Sequence, residues 1–126
     1  SNICTNAGLC ALAFSIHMTL LGEAGLRQLA AINHSRAKKA AAALAGVNGV
    51  TVLNTSFFNE FTILLPTDAR ALVHRLAEKG VLAGVSLGRL YPANDGLANG
   101  LVVAVTETVT EEDIAAFVAA LTEELA

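Results

Sequence analysis

Residues 7–21 contain no Asp, Glu, Lys or Arg, and this stretch limits what the rest of the chain can become. Thr5 or Asn6 is a natural N-cap, and the pattern predicts a helix over residues 7–21. Leu9, Ala13, Ile16 and Leu20 share one stripe, while Leu12, Phe14, Met18 and Leu21 cover other faces. A helix that is apolar all round is buried all round. In a chain of 126 residues one side of it is expected to meet a neighbour from outside this sequence. The run is too short for the ~20 residues of a membrane span, and His17 interrupts it. Residues 1–6 supply no basic segment of the kind a signal peptide carries ahead of its apolar run. Gly22 and Gly25 are expected to break or bend the segment.

The bulk composition points the same way. Hydrophobic residues make up 54% of the chain and charged residues only 15%, against ~25% charged in typical soluble domains. Such a deficit suggests surface that something else covers, and it would also let the chain pair with itself as a non-native homodimer. A formal net charge of −3 argues against nucleic acid and anionic membrane as partners. Cys4 and Cys10 lie too close together to form an extracellular framework, so free thiols in a bacterial cytoplasm are expected. The sequence starts at Ser1 on a motif rather than a tail and reads as a piece of something longer.

Further along, a second helix is predicted over residues 23–45, with Leu26, Leu29, Asn33, Ala37, Ala40 and Leu44 at helical spacing and Gly46 as its stop. Residues 50–54 read as a short strand. Residues 57–65 read as a longer one, with Phe57, Asn59, Phe61, Ile63 and Leu65 alternating against Phe58, Glu60, Thr62 and Leu64. Thr67 is expected to cap a third helix running through Lys79. Residues 81–100, rich in glycine, suggest a short strand and a long ordered loop. Residues 101–106 have the continuous apolar character of a central strand. Thr110 and Asp113 then form a capping box for a last helix with Ile114, Phe117, Val118, Leu121 and Leu125 on its stripe. A single domain over residues 1–126 is expected: a junction motif and linking helix at 1–25, then a small α+β domain at 26–126. Its helices would lie on one face of a small, mostly antiparallel sheet.

No catalytic constellation is complete. Cys4 precedes a helix start, where the dipole lowers a thiol's pKa, but none of His17, His34 or His74 is placed beside it as a base. Cys4, Cys10 and His17 lack the spacing of metal ligands. His17 reads as a hydrogen-bonded core or interface residue, His34 and His74 as surface residues. Glu60 is a lone carboxylate on a strand, without the second one that paired acid–base work needs. Arg89, in Gly-Val-Ser-Leu-Gly-Arg-Leu-Tyr-Pro at 84–92, could grip a carboxylate or phosphate as a fork, although a structural arginine explains it as well. The loop fits neither a P-loop nor a dinucleotide fingerprint. Lys38, Lys39 and Lys79 sit on solvated helix faces or ends, far from the apolar setting that a carbonyl-trapping lysine requires.

The opening Ser-Asn-Ile-Cys-Thr-Asn, Phe-Phe-Asn-Glu-Phe at 57–61, Leu-Gly-Arg-Leu-Tyr-Pro at 87–92 and residues 101–114 resemble, in order, the C-terminal domain of the glycine cleavage system P-protein family. Asn6 and Leu-Gly-x-x-Gly-Leu at 21–26 are most similar to subunit 1 of the two-subunit form. The resemblance implies the small C-terminal domain of an aspartate-aminotransferase-type (fold type I) pyridoxal-phosphate enzyme. That enzyme decarboxylates glycine and passes the aminomethyl group to the lipoyl arm of the H-protein carrier. It implies as partners the protein's own large domain, subunit 2 and the H-protein, with the cofactor's lysine on subunit 2. Asn2, Cys4, Thr5 and Asn6 would then lie at the domain junction or the active-site wall, with Asn59, Glu60 and Arg89 as further candidates, and none of them as a catalyst. A stand-alone α+β regulatory module that binds a small molecule is the competing expectation. An exposed apolar face on the first helix would favour the former, and a closed ligand pocket the latter.

Overall fold

A computed structural model describes residues 7–126, so Asn2, Cys4, Thr5 and Asn6 lie outside the described residues. The chain divides into two compact units, one reaching Ala31 and the other spanning Ile32–Ala126. Helix α1 (Gly8–Ala45) contributes to both. Its first part breaks at Gly22, whose φ of 60° and ψ of −173° are non-helical and belong to a region essentially restricted to glycine. The break expected there is present, whereas Gly25 stays within the helix. By length and composition alone α1 could cross a membrane. However, the segment before the break is only about 21 Å long at 1.5 Å per residue, against a hydrocarbon core of about 30 Å. Leu9, Phe14 and Leu20 are 81%, 64% and 80% exposed. His17, expected in a core or interface, is exposed as well.

The second unit is built on a four-stranded antiparallel sheet in the order β1-β2-β4-β3, from β1 (Thr51–Val52), β2 (Glu60–Leu64), β3 (Val85–Ser86) and β4 (Gly100–Ala104). Val52, Ile63, Leu101 and Ser86 form one row across all four strands. Phe61 and Val103 form the next row on the same face. That face is the buried one, because strand residues two apart point the same way. Ala37, Ala40, Ala41 and Leu44 of α1 join its core, together with Ala69, Leu72 and Leu76 of α2 (Ala69–Glu78) and Ile114 and Leu121 of α4 (Glu111–Leu125). Three of the four buried residues of α1 are alanines. The apolar run at 101–106 is the interior strand it promised to be.

Three local expectations change. The ladder of β2 starts at Glu60 rather than Phe57: Val105 N–H still donates to Asn59 O at 2.9 Å, but Phe58–Asn59 is a bend. Asp68, not Thr67, caps α2, its Oδ1 accepting from the amides of Arg70 and Ala71. The Gly-rich stretch contains, besides β3, a helical turn α3 (Leu87–Leu90) and a 3-10 turn at Asp95–Leu97. The capping box of Thr110 and Asp113 is present in both directions. The Thr110 backbone amide, and then its hydroxyl, hold the Asp113 carboxyl below its ordinary range.

Helices α2 and α4 are tied together by Glu124, whose carboxylate meets both Lys79 Nζ, at 2.7 Å, and Arg75. Lys79 first and Arg75 second lower the Glu124 pKa from 4.5, and Glu124 with Glu123 raises that of Lys79 from 10.5. A carboxylate with a depressed folded pKa stabilises above its unfolded pKa, and this is lost as the pH falls through the folded value. The raised lysine stabilises below its unfolded pKa, and this is lost as the pH rises through its folded value. Thermal unfolding of Glu124→Gln is therefore expected at a lower midpoint than wild type at pH 7. The two midpoints should converge as the pH drops well below 4.5. A gap that persists in acid would assign the loss to packing instead of charge.

Candidate functional site

Asn59 and Glu60 sit together at one end of the sheet. Glu60 opens β2 opposite Ala104, the last residue of β4, and is exposed. Asn59 precedes it, half-buried, with its carbonyl bonded to Val105. Arg89 lies elsewhere. It is carried by α3, which follows β3 directly, and β3 pairs with the opposite half of β4 (Ser86 with Leu101). Leu87 packs against the Gly100 backbone, the start of β4. Gly100 and Ala104 are four strand residues apart, about 13 Å. The fold thus brings Asn59 to Glu60 but does not bring Arg89 to either.

Surroundings differ at the two ends. Near Arg89 a small polar cleft of about 220 Å³ is bounded by Asp68, Arg70, Gly88, Tyr91, Pro92 and Asn94. Arg70 Nη2 donates to Gly88 O at 2.8 Å, pinning α3 to the start of α2. Arg89 itself is exposed, and among the described residues nothing pairs with its guanidinium, which leaves its fork free for an anion. Near Glu60, α1 contributes His34, and here the sequence reading of a plain surface histidine was incomplete. His34 is half-buried, lies 2.8 Å through Nδ1 from Phe58 O, and stacks on the Phe58 ring. Its partner is 24 residues away in the chain, a separation at which no local pattern signals contact.

A second cavity, of about 330 Å³, is lined by none of the expected site residues. Leu44, Val81, Ala83, Val103, Ile114 and Phe117 make it apolar, and its one carboxylate, Asp113, is engaged in the capping box. Among the described residues no three His, Cys, Asp or Glu side chains are grouped to hold a metal ion. The lysines have settled surface roles: Lys39 pairs with Glu111, and Lys79 with Glu123 and Glu124, while Lys38 is exposed. A lysine that attacks a carbonyl needs its amine neutral. The carboxylates around Lys79 push it the other way. Cys10 is an exposed free thiol on α1.

Comparison with known proteins places this arrangement. Two bacterial proteins described as probable glycine dehydrogenase (decarboxylating) subunit 1 align over all 126 residues: that of Sphingopyxis alaskensis at 77% identity and that of Novosphingobium aromaticivorans at 65%. The chain spans 28% of the length of each. A crystal structure of glycine decarboxylase, the P-protein of the glycine cleavage system, in inhibitor-bound form matches 98% of this chain and 27% of that one, with a TM-score of 0.82 and 38% identity. A NifS-like protein shares the fold at 17% identity, with a TM-score of 0.62 over 79% of this chain and 29% of its own. The architecture is that of the small C-terminal domain of fold-type I pyridoxal-phosphate enzymes, as the family resemblance implied. The family pattern of the glycine cleavage system P-protein matches residues 1–121, and the chain belongs to that family.

Proposed function

We propose that this chain is the small C-terminal domain of subunit 1 of a two-subunit glycine dehydrogenase (decarboxylating), shaping a domain interface and one wall of the site. The carrying observation is the match over the whole chain at 77% identity to a subunit 1 protein, joined to a TM-score of 0.82 against a solved P-protein. In that enzyme pyridoxal phosphate supplies the electron sink for decarboxylation, and the aminomethyl group passes to the lipoyl arm of the H-protein. Lys38, Lys39 and Lys79 do not fit as the lysine that anchors the cofactor, for the reasons of exposure and ion pairing given above. We assign that lysine to subunit 2.

The described residues suit a wall and not a catalytic centre. Glu60 is exposed, and Arg89 offers a free cationic fork at the far end of the sheet. Exposed Leu9, Phe14 and Leu20 on α1 support a helix covered by other parts of the enzyme, as against a self-contained module. The test is direct. The 126-residue chain, given glycine, pyridoxal phosphate and lipoylated H-protein, should release no carbon dioxide, whereas full-length subunit 1 with subunit 2 should. Carbon dioxide release by the chain alone would refute the assignment.

A further inference from the structure

One turn of α1 grips two backbone carbonyls at the same end of the sheet. Arg36 Nη1 donates to Glu107 O, just past β4, and His34 Nδ1 lies 2.8 Å from Phe58 O, just before β2. Glu60 and Ala104 are cross-strand partners, so the two carbonyls flank neighbouring ends of the two central strands. A carbonyl oxygen only accepts, so the proton of the His34 bond sits on Nδ1. The neutral ring then keeps its lone pair on Nε2, and adding a proton there leaves the Nδ1 bond in place.

The aromatic rings of this bend are anchored in two directions. Phe57 meets Phe61 of the core with ring centroids 5.0 Å apart, while Phe58 lies flat against His34, 5.9 Å apart and 4° from parallel. Asn59 follows with its carbonyl held by Val105 N–H. Phe58 is 53% exposed, and the His34 ring is the aromatic partner it stacks on.

We propose that His34 is a positioning residue: through the Phe58 carbonyl and ring it holds Asn59 and Glu60 in the geometry that the active-site wall presents. This rests on the assignment of Asn59 and Glu60 to that wall. Long-range proton–nitrogen NMR on the chain reads the tautomer, amide exchange at Val105 reads the bend, and glycine decarboxylation by the assembled holoenzyme reads the function. Neutral His34 should carry its proton on Nδ1. His34→Phe keeps a ring and loses the donor, so Val105 exchange should quicken about tenfold, the scale of one hydrogen bond, with kcat/KM falling by a similar factor. His34→Asn, whose amide nitrogen reaches the Nδ1 position, should restore most of both. His74→Phe on the exposed face of α2 should change neither. A proton on Nε2, or unchanged Val105 exchange in His34→Phe, overturns the bracing itself. Faster exchange with unaltered kcat/KM leaves the bracing standing but removes the wall assignment, and with it the positioning role.

Discussion

Replacing Phe61 with alanine is expected to cost about 3–5 kcal/mol of folding stability, the range for deleting a buried aromatic side chain. Phe61 is 2% exposed and stands first by volume among the fully buried side chains. It lies on β2, an interior strand, opposite Val103 of β4, and carries the ring of Phe57 on its edge. Its loss opens a void where the sheet meets the helices, and the short alanines of α1 cannot swing in to fill it. Against a total of about 5–15 kcal/mol for a domain, that leaves a protein close to unfolding. Urea denaturation should show a lower midpoint at an unchanged slope, with Phe61→Leu costing far less. A Phe61→Ala loss below about 1 kcal/mol would mean the core collapses around the site more freely than packing at this density allows.

Phe61 was legible in the sequence, since alternation along residues 57–65 put it with Ile63 and Leu65 on one side, and all three are buried. The same holds for the break at Gly22, the Thr110–Asp113 box and the interior strand at 101–106. Each of those signals is local: a period of two, a capping pair, a glycine between apolar runs. What failed was decided at a distance. Thr67 is the expected cap, but Asp68 takes that place, and the Ala69 amide goes to Ala98 O, 3.0 Å away and 29 residues later. Phe57 and Phe58 look like two more residues of a strand. Their rings do go to opposite sides, Phe57 to Phe61 and Phe58 to His34, yet the backbone bends at Phe58 and Asn59 and the ladder begins only at Glu60. Within the candidate site the residue types were readable, but their grouping was not. Nothing in the spacing of Glu60 and Arg89 reveals that strand order β2-β4-β3 and antiparallel pairing send them to opposite ends of the sheet.

Gly84→Ala tests how that second end is held, and it is expected to cost about 3 kcal/mol, beyond what backbone strain alone imposes. Gly84 precedes β3 with φ at 141°, and a Cβ there would lie 2.1 Å from Val102 O. Val102 cannot retreat, because it is paired with Thr62 of β2 on one side and Val85 of β3 on the other. The strand that must move is β3, two residues long and at the edge of the sheet. It runs straight into α3, so its displacement carries Arg89 away from its present position. Gly80 supplies the comparison: its φ is 80°, but an added Cβ meets nothing within 4 Å, so Gly80→Ala should show only the left-handed penalty of about 1–2 kcal/mol. Denaturation midpoints should rank wild type above Gly80→Ala and Gly80→Ala above Gly84→Ala, with faster exchange of β4 amides in Gly84→Ala alone. Equal losses in the two variants would show that the approach of Gly84 to Val102 does not hold β3, and that Arg89 is fixed by the Arg70–Gly88 bond instead.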